Sequence, residues 1–377
     1  MKRHPHPGLK GDGLTDEGEV LQRLLNEKPP LLELPAGLFK VGRTLRIHGG
    51  TRLLLHPQAT LRLTDGAARE FGDYLLTNAN HDTGDSEITV EGGCWDGNNV
   101  ANPRGGPGLL AEGYSGTLLH FANVRNLRLS ALRLHDAEAY YARFTKVTDF
   151  LIEDISFSAG HIRPNNDGIH LGGHCANGVI RRIRGLQRGV TGDDLVALNA
   201  DDALQRTEVR GMMCGPIRDI RIEDLAAEDC HSFVRLLSVW SPIERIVING
   251  VRGTCSVAAL NCDAARGCRV PVFDERDPVH ANGVGMLRQI KATDFHVAKS
   301  VENDIALVRL ETRMSGFELV DFHRDLANDK NPQCPTLRLR HAGAASLTGV
   351  FERHVAKDEV FESAAAEIRY LGINAGR

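Results

Sequence analysis

The sequence predicts an all-β fold, a single-stranded, right-handed parallel β-helix with an N-terminal capping helix, in which all 377 residues form one domain. Two observations predict it: an apolar pattern that recurs along the chain, and a composition with 39 glycines, 42% apolar residues and only 5% aromatic residues. Such a composition is typical of β-rich chains with many tight turns. A solenoid also accommodates this length in one domain, because it grows along one axis and each coil contacts only its neighbours.

The recurring pattern has apolar residues at its first, third and sixth positions, with glycine once at the first. The first and third positions have the two-residue period of a β-strand, and the step to the sixth requires a bend between two short strands. An antiparallel sandwich is the alternative, but its strands would not keep one register over about 200 residues. The seven copies are Leu127/Leu129/Leu132, Phe150/Ile152/Ile155, Gly178/Ile180/Ile183, Ile220/Ile222/Leu225, Ile246/Ile248/Val251, Ile290/Ala292/Phe295 and Phe317/Leu319/Phe322.

The spacing of the copies predicts the length of each coil. Their central residues lie 23, 28, 42, 26, 44 and 27 positions apart. Four of these steps match one solenoid coil of about 20 to 30 residues. Each of the two longer steps predicts either an extra coil or a long loop. The clearest coils span residues 118–325 and are expected to carry the active-site cleft.

The N-terminal cap is predicted over residues 11–30. Asp16 is expected to be the N-cap residue of a helix, with Glu19 as its capping-box partner. The helix would cover the first apolar coil with an apolar face. That face consists of Val20, Leu21, Leu24 and Leu25.

Charge and hydropathy restrict the partners that the sequence predicts. The net charge of −4 argues against nucleic acid and anionic membranes, which require many Lys and Arg on one face. No apolar run is long enough for a membrane span, and Met1 to Lys10 contains no hydrophobic segment of an export signal. The compartment stays open between the cytoplasm and an exported location. A carbohydrate partner is compatible with this net charge. The chain is expected to be a monomer or a small homo-oligomer.

No cofactor is predicted. The eight cysteines include no C-x-x-C pair of the kind that binds zinc, so no metal site is expected either. Most of these cysteines are expected to be small buried thiols.

Two predicted coil strands begin with acidic residues, in Asn165–Gly168 and in Gly192–Asp194. Aligning the strands that follow stacks Asp167 on Asp194, at a coil spacing of about 4.8 Å. Two carboxylates at that separation would hold a water molecule as a shared base, and Asp193 would protonate a glycosidic oxygen. Crowding is expected to raise at least one pKa among them. This division of roles is the one that an inverting glycoside hydrolase requires.

These two segments resemble the polygalacturonases, glycoside hydrolase family 28, whose ordered motifs are Asn-Thr-Asp, Asp-Asp, Gly-His-Gly and Arg-Ile-Lys. Asn165–Gly168 resembles the first motif with Asn for Thr, and Asp193-Asp194 matches the second. The resemblance implies Asp193 as general acid, with Asp167 and Asp194 as the base pair. It also implies a plant-type or microbial galacturonide or galactoside as substrate. The amino-terminal segments Gly11–Asp16 and Leu34–Leu38 resemble the entrance of pectin-lyase-like β-helices.

The resemblance has two departures. No Gly-His-Gly occurs between Asp194 and Arg235, and Arg235-Leu236-Leu237 stands where Arg-Ile-Lys is expected. In polygalacturonases the histidine supports the ionisation of the acid, and the Arg/Lys pair binds a uronate carboxylate. These departures bear on the sugar more than on the reaction. The linkage and the choice between endo and exo action stay open.

Several residues near the acids are predicted substrate contacts. The outward residue of successive aligned strands is Arg143, His170, Ala197 and Arg235. Asp201-Asp202 is expected to be a turn, with a calcium ligand pair or further substrate contacts as alternatives. The predicted substrate-binding residues are Asn165, His170, Arg235, Arg143, Tyr140, Tyr141 and His231.

Two other functions are compatible with the pattern. The acidic segments are also ordinary turn sequences, which would suit a non-catalytic carbohydrate-binding β-helix. A polysaccharide lyase is the second alternative, although lyases need a calcium cluster and a basic residue near the substrate.

Overall fold

The computed structural model describes residues 8–105, 113–202, 212–265, 273–274, 276–280, 282–340, 345–349, 352–357 and 359–375. One α-helix, α1, spans Gly18–Asn26, and a single 3-10 turn spans Pro278–His280 in this part of the chain. The strands are β1 Asp12–Asp16, β2 Leu31–Leu34, β3 Gly37–Val41, β4 Leu45–Ile47, β5 Arg52–Leu55, β6 Ala59–Leu63, β7 Leu76–Asn78, β8 Asp85–Glu91, β9 Cys94–Asp96, β10 Leu119–Ser130, β11 Arg133–His135, β12 Ala142–Ser158, β13 Ile169–Leu171, β14 Ala176–Gly185, β15 Asp194–Asn199, β16 Ile217–Leu237, β17 Ile243–Asp263, β18 Leu287–Lys299, β19 Val308–Leu310, β20 Met314–Arg324, β21 Leu337–Arg340, β22 Ala345–Gly349, β23 Arg353–Val355, β24 Val360–Ser363 and β25 Glu367–Ala375.

The strands stack in parallel, one coil on the next, and the seven apolar copies lie in one register. Ile152 pairs with Ile180, which pairs with Ile222, and Ile222 pairs with Ile248. The side chains of these four residues are fully buried in one continuous core. The predicted parallel β-helix is therefore confirmed.

Left-handed residues produce the bends of each coil. The residue before the first position of every copy has a positive φ, between 53° at Gln289 and 74° at Gly316. The residue between the third and sixth positions does too, as in Asp154 at 56° and Asp224 at 57°. Asn, Asp and Gly tolerate this conformation best, so these corners hold the bend that the spacing predicted.

Neither of the two long steps between copies contains an extra coil. Ile180 pairs directly with Ile222, and Ile248 pairs directly with Ala292, so no coil lies between them. Residues 203–211 and 266–272, which fall within these steps, lie outside the described residues.

A second stack of strands, the cleft sheet, carries the acidic turns. It consists of paired three-residue segments of β4, β7, β10, β12, β13, β15, β16, β17, β19 and β21. Their middle residues point outward and form one ladder. In order along the sheet, the ladder is Arg46, Thr77, His120, Arg143, His170, Ala197, Arg235, Asn261, Arg309 and Arg338.

The predicted helix forms, but its N-terminus differs from the prediction. Glu17 is the N-cap residue and makes no side-chain capping hydrogen bond, while Glu19 pairs with Arg43 instead of folding back. Asp16 lies in β1, where its Oδ1 accepts hydrogen bonds from Gly18 N and Gly42 N at 2.9 Å. The apolar face of α1 joins the core, and closure of the first coil by this helix stays a prediction.

The carboxyl end departs from the parallel pattern. β25 pairs antiparallel with β20 and β22, and β24 pairs antiparallel with β21. The sequence pattern did not predict this change of direction. No helix among the described residues is long and apolar enough to cross a membrane.

Candidate active site

The register of the cleft sheet brings the two acidic turns together. Ile169 pairs with Val196, so Asp167 and Asp194 occupy equivalent positions on neighbouring coils, as predicted. The backbone N–H of Asp194 donates a 3.1 Å hydrogen bond to Asp167 Oδ1. A Cβ at Gly168 would lie 2.4 Å from the Leu195 carbonyl oxygen, so glycine allows the coils to approach here.

Asp193 is the most accessible of the three acids, because its side chain is 21% exposed whereas that of Asp194 is 1% exposed. Asn165 Nδ2 donates to Asp193 Oδ2 at 3.3 Å. Burial raises the pKa of Asp193 to about 7, and the carboxylates of Asp167 and Asp194 add to this rise. A carboxyl group with such a pKa holds its proton near neutral pH and is suited to act as a general acid.

His231 lies against the same carboxyl group. Its Nδ1 is 3.2 Å from Asp193 Oδ1 and 3.7 Å from Asp194 Oδ1. Burial disfavours the charged imidazole, but Asp194 and Asp193 outweigh burial and raise the pKa of His231. A histidine therefore stands beside the predicted acid although the Gly-His-Gly motif is missing. Ser232, the next residue in β16, pairs with Asp194 in the strand register. This register places His231 beside Asp193.

Arg235 contacts both Asp194 and a further acid, Asp263. Arg235 Nη1 lies 3.7 Å from Asp194 Oδ2, and Arg235 Nη2 lies 2.6 Å from Asp263 Oδ2. Among the described residues, neither carboxylate oxygen of Asp194 has a hydrogen-bond partner. Burial would raise the pKa of Asp263, but Arg235 outweighs burial and lowers it.

Asp167 is held from behind by a buried imidazole. His170 Nδ1 contacts Asp167 Oδ2, and His170 Nε2 lies 3.1 Å from Asp202 Oδ2. Burial opposes protonation of His170, but Asp202 and Asp167 outweigh burial and raise its pKa to about 9. Burial also raises the pKa of Asp167, which His170 opposes. Asp167, His170 and Asp202 thus form a buried Asp–His–Asp triad.

The predicted turn at Asp201-Asp202 is confirmed, and both acids are used within the protein. Asp201 Oδ2 accepts hydrogen bonds from the backbone N–H groups of Val239, Trp240 and Ser241 at 2.7, 2.7 and 2.8 Å. The contact of Asp202 with His170 was not predicted, because nothing local in the sequence distinguishes Asp202 from an ordinary turn residue.

Four predicted substrate contacts have buried side chains, and their contact with a substrate stays a prediction. His170 is 1% exposed in the triad, and Arg143 is 1% exposed beneath Phe71. Tyr141 is fully buried against Phe157 and donates to the Ser158 carbonyl oxygen. Tyr140, 4% exposed, packs its edge on His170 and lies under the Arg143 guanidinium. Among the predicted contacts, Asn165 and His231 border the accessible Asp193, and Arg235 borders Asp194.

A pocket of 230 Å³ opens beside the acids, toward the carboxyl end of the cleft sheet. Asn261 and Arg309 form its far wall and were not predicted, although they follow Arg235 in the strand register. The pocket is lined by Asp193, Asp194, His231, Arg235, Val257, Asn261, Asp263, Ala265 and Arg309.

Asp193, Asp194 and His231 also have the composition of a cation site, with one ligand atom from each lying within 4.8 Å of the others. The positive charge of Arg235, 3.7 Å from Asp194, disfavours a second cation at the same place. The prediction of no metal stays a prediction.

Known proteins resemble the chain in sequence and in fold. No protein-family model matches it. A probable polygalacturonase of Arabidopsis thaliana is 24% identical over 255 residues, covering 65% of this chain and 52% of the relative. The chain thus spans about half the length of this curated relative.

Two solved structures share the fold at low identity. The surface adhesin PfbA of Streptococcus pneumoniae superposes with a TM-score of 0.59 at 12% identity, covering 89% of this chain and 82% of that one. A hyperthermoactive exopolygalacturonase of Thermotoga maritima superposes with a TM-score of 0.56 at 13% identity, covering 94% of this chain and 93% of that one. An adhesin and an enzyme share this architecture, so fold alone does not decide activity. The chain is thus similar in sequence to polygalacturonases, and it shares the parallel β-helix fold with solved exopolygalacturonases.

Proposed function

We propose that the protein is a glycoside hydrolase that cleaves a pectin-type poly- or oligosaccharide with inversion at the anomeric carbon. Asp193 donates a proton to the glycosidic oxygen, and Asp194, supported by Asp167, activates the attacking water. The observation that carries this proposal is the contrast between two adjacent carboxyl groups. Asp193 holds its proton to about pH 7 at the pocket, while neighbouring Asp194 is buried beside Arg235. The raised pKa of Asp193 suits a proton donor.

The separation of the carboxyl groups bears on the stereochemistry. The nearest atoms of Asp193 and Asp194 lie within 4.8 Å, closer than the about 6.5 to 9.5 Å typical of inverting enzymes. Retention with Asp194 as nucleophile is therefore the alternative mechanism. The depth of Asp194, 1% exposed, favours inversion because a water molecule needs much less room than a sugar ring. The resemblance to polygalacturonases favours inversion as well.

Arg235 and Arg309 suit an acidic sugar. Both line the pocket, and a guanidinium binds a carboxylate with two parallel hydrogen bonds. Arg235 is already paired with Asp263, and Arg309 with Glu311, so a uronate would compete with these acids. Oligogalacturonides and neutral galacto-oligosaccharides are therefore both appropriate first substrates.

The proposal is tested by measuring reducing-sugar release from these two sets of oligosaccharides. We expect Asp193→Asn to lower the turnover by about 100- to 10,000-fold, because it removes the proton donor and keeps the shape. Asp224→Asn is the matched control, since this aspartate is exposed and pairs with Arg184 away from the acids. Binding without hydrolysis by the wild type would identify a carbohydrate-binding protein instead. Loss of activity in EDTA, with an unsaturated product, would identify a lyase.

A further inference from the structure

The accessibility of the outward ladder of the cleft sheet changes abruptly at the acids. On the amino-terminal side, Thr77, His120, Arg143 and His170 are at most 1% exposed, and Arg46, the rung beyond Thr77, is exposed. On the carboxyl-terminal side, the side chains of Arg235, Arg309 and Arg338 are 21%, 24% and 22% exposed, while Asn261 is 5% exposed. A sugar chain can therefore reach the sheet on one side of the acids.

Ring side chains from loops and from the preceding coil cover the buried half of the ladder. His81 Nε2 lies 2.7 Å from Thr77 Oγ1. Tyr74 stacks on His120 with ring centroids 4.8 Å apart. We call Phe71, Tyr74, His81 and Tyr140 the aromatic wall, since Phe71 and Tyr140 enclose the Arg143 guanidinium and Tyr140 also covers His170.

The aromatic wall blocks a long stretch of the sheet. Thr77 to His170 are four consecutive rungs of the ladder, which span about 14 Å at a coil spacing of about 4.8 Å. Tyr74 and Tyr140 are buried, whereas Phe71 and His81 are half-buried. Rings packed on buried polar groups are costly to displace. A sugar chain cannot continue across this stretch while the wall is in place.

A second set of contacts lies beside the turn that precedes Asp167. Arg104, in the loop after β9, donates from Nη2 to the Pro164 carbonyl oxygen at 3.1 Å, just before Asn165. Glu138 joins this loop to the same turn through Arg163, at 2.8 Å, and lies 3.9 Å from Arg104. Arg104 and Glu138 are thus linked to the turn before Asp167.

We propose that the aromatic wall ends the cleft next to the three aspartates, so that the enzyme removes sugars from a chain end and does not cut within the chain. This inference rests on the proposed hydrolase function and adds the mode of action to it. The pocket accommodates the terminal unit next to Asp193, and the rest of the chain leaves the pocket at Arg309 and extends toward Arg338.

The first experiment follows wild-type digestion of polygalacturonate and of neutral galactan. We expect a single short product from the first time points, with little loss of viscosity while reducing ends accumulate. A ladder of intermediate lengths with early loss of viscosity would overturn the inference while leaving the hydrolase function intact.

The second experiment measures binding and needs no turnover. Asp193→Asn is titrated with fractions of each polymer that have equal mass but different mean chain lengths. An end-binding cleft predicts that the affinity per unit mass increases as the chains become shorter and their ends more numerous. Equal affinity per unit mass across all fractions would overturn the inference. Neither binding nor hydrolysis of either polymer would overturn both this inference and the proposed function.

A variant then tests the aromatic wall itself. In Phe71→Ala/Tyr74→Ala the wall is opened, and we expect intermediate-length products and faster loss of viscosity. Tyr370→Ala is the matched control, because this tyrosine is 39% exposed at the carboxyl end. A folded double variant that still releases only the terminal product would contradict the role of these rings.

Discussion

His231 Nδ1 lies 3.2 Å from Asp193 Oδ1, on the coil that follows the acid. The histidine reaches this position through the strand register and not through the Gly-His-Gly motif of polygalacturonases. Its positive charge lowers the pKa of Asp193, against the effects of burial, Asp167 and Asp194, which together raise it to about 7. The balance of these charges sets the pH at which the proposed acid holds its proton.

This balance predicts a shift in the pH profile of His231→Gln. Asp193 must be protonated to act, so the wild-type rate should decline as the pH rises above about 7. Removing the positive imidazole raises the pKa of Asp193, so the alkaline limb of kcat/KM should move to higher pH. A histidine with only a structural role would lower the rate at every pH and leave the limb where it was.

The buried triad predicts a pH-dependent stability. The pKa of His170 is about 9 in the folded protein against 6.5 for the free side chain, so it contributes most below pH 6.5. This contribution should be lost as the pH rises through about 9. His170→Gln should cost about 3 to 5 kcal/mol at pH 6, because it leaves two buried acids without their cation.

Urea denaturation of the wild type and of His170→Gln at pH 6 and pH 10 measures this effect. The difference between the two proteins should be smaller at pH 10. His135→Gln is a matched control, since His135 also contacts an acid, Asp136, but is 31% exposed. An equal difference at both values of pH would show that His170 is not charged in the folded protein.

Asp201 is predicted to stabilise the loop after β16. Its Oδ2 accepts three backbone hydrogen bonds, and Asp201→Ala leaves those three N–H groups without their acceptor. Each buried group that loses its partner costs about 1 to 3 kcal/mol. Asp201→Asn retains an acceptor oxygen and should cost less. Equal midpoints of thermal unfolding for the two variants would argue against this role.

The stacked core predicts a strong contrast within one coil. Ile248 is fully buried, whereas Val247, its neighbour in β17, is 37% exposed. Ile248→Asp should prevent folding, because a charge inside the coil has no partner. Val247→Asp should change the free energy of unfolding by less than about 0.5 kcal/mol. Circular dichroism and thermal unfolding distinguish the two outcomes.

The sequence was most informative where a residue's position depends on the repeat. The pattern around Ile152, Ile180 and Ile222 predicts the register because each coil repeats the same strand and the same left-handed corners. That register also places Asp167 next to Asp194. Periodicity is a strong signal because one misplaced strand would expose a whole apolar face.

The parts that depend on loops could not be predicted in the same way. The register gave the outward direction of Arg143 and His170 correctly but could not indicate that Phe71 and Tyr140 cover them. Asp202 has the sequence of an ordinary turn, and its contact with His170 joins residues 32 positions apart. Loops carry no period, so their packing on the sheet is determined by tertiary structure alone.

The anomeric configuration of the first product tests the central claim most directly. A proton NMR spectrum recorded within minutes of adding enzyme, before mutarotation, reports whether the bond is cleaved with inversion or retention. We expect inversion, because buried Asp194 acts through water while Asp193 supplies the proton. Retention, with a glycosyl adduct on Asp194, would contradict the assigned roles even if all three aspartates proved essential.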